Sequence, residues 1–339
     1  MRTPAGVTVS KTTPRPAYAR YLVARTITAY DGDPWRRDVQ LVDEVAYVHS
    51  RMNKWPDNMR SIVIQWYKLR YAFHLLRECR NYEAIAVGRY GSWFAVLQEL
   101  FGLHKRIVLM DQEWYSQAGG QLARRAYLSS AAICCNTRIE IERYSQQSGV
   151  SRDRFHFVPL AFQARDCRKP SDEGFVFAGG FQGRDWRTLV KAVQGLPYQI
   201  RIFTKDVIDS IPSNVTVRTV SREEYFCQMA ASSCVVVPVK PELGRITGTT
   251  TWTAAMSMGK PVIVTEPLGA PDYMEFGVSG FYVDYGGAAE LGRIIDLVMK
   301  DPGLRRRVGE AARERAWREF SPEAFRSHVL SLLEGPSPH

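Results

Sequence analysis

The chain contains no C-x-x-C pair, no H-E-x-x-H run and no mixed Cys/His spacing of the zinc-binding kind, so no metal centre is expected from its local motifs. Its six cysteines, Cys79, Cys134, Cys135, Cys167, Cys227 and Cys234, are scattered, several inside apolar runs such as AAICCN and SSCVVVP, which reads as buried, reduced thiols. No stretch reaches the roughly 18 consecutive apolar residues a membrane-spanning helix needs. The first twenty residues, MRTPAGVTVSKTTPRPAYAR, carry positive charge but lack the apolar core of a secretory signal, so a frayed leader and a cytoplasmic location are expected. G-x-S-x-G and Walker loops are also missing, and GRYGSW (Gly88 to Trp93) falls short of G-x-G-x-x-G. Asp31-Gly32-Asp33 runs into Pro34 and reads as a turn rather than a metal site.

Acidic residues are scarce in one half only. Residues 1–168 hold 25 Lys and Arg against 15 Asp and Glu, whereas residues 169–339 hold 20 of each, so the whole formal charge of +10 sits in the first half. Such an asymmetry suits an acidic partner: a phosphorylated acceptor, a membrane surface or nucleic acid. The absence of any compact nucleic-acid-binding motif argues against the last. Within this half, Arg60 to Arg80 (RSIVIQWYKLRYAFHLLRECR) reads as a basic amphipathic helix, which either lies on an anionic membrane or packs on a sheet with its long side chains snorkelling.

At 339 residues the length suits about two domains. From residue 84 onward, short β-rich runs alternate with helical ones: AIAVG then WFAVLQELFG, RIVLM then QLARRAYL, AAICCN then RIEIERYSQQSG, and FHFVPLA. After the polar, Pro- and Gly-containing ARDCRKPSDEG the alternation resumes with FVFAGG, QIRIFT, VTVRTV, CVVVPVK, PVIVT and GFYVDY. Alternation of this kind implies right-handed βαβ units and parallel sheets, an α/β class. The expected domains are residues 1–168, residues 169–320, and a C-terminal helix and tail over 321–339, where Ser321-Pro322-Glu323 has the character of a helix start.

In doubly wound sheets ligands sit beyond the carboxyl ends of the strands, which singles out the loops leaving them. After CVVVPVK comes PELGRITGTTT: Gly244 and Gly248 allow close backbone approach, Arg245 brings a fixed charge, and Thr249, Thr250 and Thr251 place hydroxyls beside the free N–H groups of a helix. Those are the ingredients of a phosphate site, although a Gly/Thr helix start with ordinary capping has the same composition. After FVFAGG, Arg184 opens the next helix, either to reach an anion or to pair with Asp185. After RIVLM, Asp111 and Glu113 stand at the mouth of the first sheet, where a carboxylate could act as base, orient a hydroxyl or cap the chain.

From Phe175 to the end, FAGGFQGRDWRTLVKAV, SREEYFCQMAASSCVVVPVKP, GTTTWTAAMSMGKPVIVTEPLGAPDYMEFGVSGFYV and AARERAWREFSPEAF resemble the donor half of group 1 (family 4-like) retaining glycosyltransferases. The resemblance implies a GT-B fold, two Rossmann-like domains facing across a cleft, with the C-terminal helix returning to the N-terminal domain. It implies metal-independent transfer of a sugar, with retention, from a nucleotide-diphosphate donor on the C-terminal domain to an acceptor hydroxyl on the N-terminal one. No cofactor is implied, and UDP, GDP and TDP remain open as the donor's nucleotide. Acceptors consistent with the charge are a glycan, a lipid-linked glycan or a small natural product, with peripheral contact at the inner membrane face.

Position by position, Arg184 falls where the family has a diphosphate-contacting Lys, and Gly180 falls where it has a neighbouring Arg. Gly248, Thr249 and Thr250 fall in the loop that wraps the phosphates and donor sugar. The family's paired acids, Glu-x7-Glu, correspond here to Ile246 and Ala254, with Glu242 and Glu266 close enough in sequence to substitute in part. Loss of both acids also fits a non-catalytic GT-B protein that binds a sugar, a nucleotide or a partner enzyme.

Overall fold

The computed structural model describes residues 20–25, 39–43, 57–110, 120–162, 171–180, 182–241 and 246–335. The expected leader, Asp31 to Asp33, most of the expected linker and Cys167 lie outside them. Contacts group the chain into two units: residues 1–135, 141–156 and 326–339 form the first, and residues 136–140 and 157–325 the second.

The first unit is built on a six-stranded sheet in the order β2-β1-β3-β4-β5-β6. Its strands are β1 (Tyr21–Arg25), β2 (Val39–Asp43), β3 (Ala84–Val87), β4 (Arg106–Leu109), β5 (Ala132–Cys135) and β6 (Phe155–Phe157). Neighbours from β2 through β5 run parallel. Its helices are α1 (Asp57–Glu78), α2 (Ser92–Leu100), α3 (Gly120–Leu128) and α4 (Arg138–Ser148), the first three residues of α4 belonging to the second unit.

Helix α1 divides its faces sharply. Tyr71, Ala72 and Leu75 are fully buried, whereas Trp66 and Phe73 are 55% and 46% exposed, and Arg70 lies over the Trp66 ring. Trp66, Arg70, Phe73 and Arg77 recur at the spacing of one helical face.

The second unit holds another six-stranded sheet, β12-β11-β10-β7-β8-β9, parallel throughout. Its strands are β7 (Phe175–Gly179), β8 (Gln199–Phe203), β9 (Val215–Arg218), β10 (Cys234–Val237), β11 (Val262–Val264) and β12 (Phe281–Tyr282). Alternate residues feed two separate cores. Phe175, Phe177, Val235, Val237, Val262 and Val264 face one way, and Val176, Ala178, Cys234, Val236 and Ile263 the other. Burial on both faces explains why these strands read as unbroken apolar runs.

Helices α5 (Trp186–Val193) and α9 (Ala288–Lys300) cover one face. Helices α6 (Arg222–Ala231), α7 (Thr249–Ser257), α8 (Ala270–Tyr273) and α10 (Pro302–Glu319) contribute to the other.

Side-chain caps start these helices, and α5 begins at Trp186, so Arg184, expected to open it, lies just before its cap. Asp185 caps α5 by accepting from Thr188 N at 3.1 Å, Ser221 caps α6 through Glu224 N, and Asp301, followed by Pro302, caps α10 through Leu304 N at 2.9 Å. The final helix α11 (Pro322–Glu334) begins with Ser321 accepting from Ala324 N. Its end belongs to the first unit, where Arg106 Nε donates to the Leu332 carbonyl at 2.7 Å.

Helix α7 is held at its C-terminal end. A Cβ on Gly309 of α10 would collide with the Gly259 carbonyl just past the end of α7, so the two backbones meet there. Trp317 Nε1, also on α10, donates to the Ser257 carbonyl at 3.2 Å.

Candidate active site

In the second sheet the strand order reverses direction between β7 and β10, and such a switch point opens a crevice beyond the strand ends. The chain brings its two most distinctive loops there. The loop after β7 and the one after β10 are zipped together by an antiparallel bridge between Arg184 and Val239, by Asp185 N donating to the Pro238 carbonyl and by Lys240 N donating to the Gly183 carbonyl.

Arg184 is buried at this junction, only 7% exposed. Its Nε donates to the Gly179 carbonyl at 3.0 Å, Nη1 to the Gln182 carbonyl at 2.7 Å and Nη2 to Thr251 Oγ1 at 3.2 Å. The pairing with Asp185 that the sequence left open is not the arrangement found: Asp185 serves as the α5 cap. Gly180, at φ 125°, makes room for the arginine, since a Cβ there would stand 2.5 Å from Arg184 Nε.

Gly248 immediately precedes α7 in a left-handed conformation, φ 90°, with its Cβ position 3.6 Å from Arg184 Nη1. The guanidinium therefore lies beside the N-terminus of α7. No acidic residue occupies the first turn of that helix, so none of its own side chains offsets its partial positive charge. Thr249 and Thr251 are buried and Thr250 is exposed. Thr251 also meets the hydroxyl of Tyr225 on α6, whose ring packs where a Gly179 Cβ would be; burial raises the Tyr225 pKa, opposed by Thr251 and Arg184. Thr247, one residue before the glycine, buries its Oγ1 with no hydrogen-bond partner among the described residues.

Asp111, Glu113, Glu242, Gly244 and Arg245 lie outside the described residues. Of the remaining predicted site residues, Gly180, Arg184, Gly248 and Thr251 come together at the switch point, with Thr249 and Thr250 on the adjoining helical turn.

The two positions matching the family's acids are apolar and buried: Ile246 is 6% exposed and Ala254 1%. Glu266 does not stand free to replace them. Its carboxylate accepts from the N–H groups of Leu268, Gly269 and Ala270 and from the Tyr285 hydroxyl, capping α8.

Two residues that sequence reasoning passed over belong to this neighbourhood. Tyr225 is one. Glu140 is the other, a buried acid that accepts from Ile246 N at 3.0 Å. Burial pushes its pKa up to about 7, against the pull of its backbone hydrogen bonds. Among the described residues, no three His, Cys, Asp or Glu side chains cluster closely enough to hold a metal ion.

Residues 231–315 match the family described as glycosyl transferases group 1. A lipopolysaccharide core biosynthesis glycosyltransferase, LpsE of Rhizobium meliloti (strain 1021), is 35% identical over 77 residues, which span 23% of this chain and 23% of that protein. Solved structures share the fold over nearly the whole length. Anabaena Alr3699/HepE superimposes with a TM-score of 0.68 at 14% identity, covering 93% of this chain and 99% of that one. Sucrose-phosphate synthase from Thermosynechococcus elongatus gives 0.62 at 15% identity, covering 92% and 87%. Over residues 231–315 the chain is thus similar to the group 1 glycosyltransferases, and its two parallel-sheet α/β units have the GT-B fold.

Proposed function

We propose that this protein moves a sugar from a nucleotide-diphosphate donor to an acceptor hydroxyl, with retention and without a metal ion. The observation that carries the reading is the Arg184 guanidinium fixed beside the N-terminus of α7, whose first turn carries no acid, at the switch point of the second sheet. Charge builds on the diphosphate as it leaves, and preorganised positive groups stabilise that charge most where water is excluded. The main-chain N–H groups of the first α7 turn, with the hydroxyls of Thr247 and Thr250, would take the phosphate oxygens. Gly244, Arg245 and Glu242 would complete the donor loop, while Asp111 and Glu113 of the first unit would meet the acceptor. Among the structural neighbours, HepE has been solved with UDP and with UDP-glucose, and S. aureus TarM with UDP and alpha-GlcNAc-glycerol.

The test is transfer or donor hydrolysis with a panel of UDP, GDP and TDP sugars. Wild type should turn over at least one donor, and Arg184→Ala should lose about a hundredfold or more. An Arg184→Ala protein with undiminished turnover removes the assignment.

Ala254 sharpens the donor. Where the family grips both ribose hydroxyls with an acid, this chain has a buried methyl, which suits a deoxyribonucleotide such as TDP. The same replacement, with that at Ile246, supports a second reading as a non-catalytic GT-B protein. Inactivity with every donor, together with tight association with a second protein, would favour it.

The acceptor is proposed to be a glycan, a lipid-linked glycan or a small natural product. The α1 face bearing Trp66, Arg70, Phe73 and Arg77 combines exposed aromatic rings with cations, which supports peripheral contact with an anionic membrane and a cytoplasmic protein at its inner face. Flotation with vesicles containing anionic lipid, compared with neutral ones, tests this contact.

A further inference from the structure

Glu140 lies in the short segment 136–140 that belongs to the second unit although the chain around it belongs to the first. Thr137-Arg138-Ile139-Glu140 is a capping box at the start of α4. Asn136 N and Thr137 N donate to Glu140 Oε2 at 2.9 and 3.1 Å, and Glu140 N approaches Thr137 Oγ1 at 3.4 Å. That box uses only one carboxylate oxygen. The other, Oε1, accepts from Ile246 N at 3.0 Å, across 106 residues of sequence.

Burying a carboxylate is costly, and a capping box does not require it: the same box forms with an exposed Glu or a neutral Gln. Here the acid is 1% exposed. What the buried position adds is the bond to Ile246, which lies outside any helix or strand two residues before Gly248. Side chains close the same junction: a Cβ on Gly269 would stand 3.0 Å from Ile246 Cγ1 and 2.9 Å from Thr137 Cγ2.

We infer that Glu140 is a positioning residue: through the Ile246 N–H it fixes the segment that leads into Gly248 and so sets where the N-terminus of α7 presents its free N–H groups. Its effect on ligand affinity rests on the donor reading above; its effect on the loop does not.

Amide hydrogen exchange on the full chain, with titration of UDP and TDP, separates the two. Glu140→Asp keeps the charge and removes one methylene of reach. It should speed exchange at Ile246 and Gly248 to Thr251 by about tenfold or more, leave the thermal transition of the rest of the protein in place, and weaken the tighter-binding nucleotide about five- to tenfold. Ile246→Pro, which deletes the donated hydrogen and leaves Glu140 intact, should loosen Gly248 to Thr251 in the same way. Thr137→Val, which removes the hydroxyl of the capping box and keeps the methyl group at the junction, should change neither measurement. Unchanged exchange at Gly248 to Thr251 in both Glu140→Asp and Ile246→Pro overturns the inference. If wild type binds neither nucleotide, the donor reading fails, while the exchange data still decide the role of Glu140.

Discussion

Gly180 and Arg184 share one space. The arginine side chain folds back across the glycine so closely that a methyl group at residue 180 would stand 2.5 Å from Nε, and the guanidinium held this way reaches both the Gly179 carbonyl and Thr251. Gly180→Ala should therefore act through the arginine. The variant is expected to stay folded and to lose at least about tenfold in kcat/KM, while adding little to the loss already caused by Arg184→Ala. Steady-state kinetics of the two single variants and the double variant check this; fully additive losses would separate the two residues.

Gly248 sits at φ 90° with its Cβ position 2.9 Å from Val237 Cγ1. Gly248→Ala meets both a backbone penalty and a clash with the end of β10. Destabilisation by more than about 1 kcal/mol is expected, read as a lower midpoint in urea. A variant as stable as wild type would mean that the turn can relax.

Ala254 bears on the choice of nucleotide. Calorimetry should find TDP bound at least as tightly as UDP, because no acid at residue 254 rewards the ribose 2'-hydroxyl. Clearly tighter UDP binding would count against the deoxyribonucleotide reading.

Cys134 and Cys234 are fully enclosed, and burial pushes both thiols up to about 12. Thiolate is the reactive form, so both should resist a thiol reagent at pH 8 in the native protein and react after denaturation. Peptide mapping of the labelled protein identifies them, with the partly exposed Cys227 as internal comparison.

Lys260, in the Gly-Lys-Pro turn, is buried and donates from Nζ to the carbonyls of Ser171 and Ser232. Burial lowers its pKa to about 8 from 10.5. Between these values the unfolded chain holds a proton that the folded one has shed, so folding gains from rising pH. Relative to Lys260→Met, wild type should gain stability from pH 7.5 to pH 10, by up to about 3 kcal/mol. Paired urea titrations at the two pH values give the difference; a constant gap would mean that the lysine titrates normally.

Much of this architecture is legible in the sequence. Strands β7 and β10 announce themselves as unbroken apolar runs because helices cover both faces, and the helix start at Ser321 carries its cap in plain view. Strands β1 and β2 do not, since YLVAR and VQLVD mix Arg25, Gln40 and Asp43 with their apolar residues and precede the regular alternation that begins at residue 84. Arg184 could be named from its position after a strand, but not its partners. Thr251 is 67 residues away, and Tyr225 joins them only because Gly179 lacks a side chain. Glu140 shows its T-x-x-E box in the sequence. Its bond to Ile246 depends on how distant segments pack, which no local pattern records.

The close crossing of α7 and α10 at Gly259 and Gly309, together with the bond from Trp317 to Ser257, anchors one end of α7 while the bond from Arg184 to Thr251 holds the other. A helix held at both ends has little freedom left to surrender when a ligand arrives. An anion meeting its first turn would encounter dipoles already aligned during folding, so the entropy of ordering them falls on folding rather than on binding.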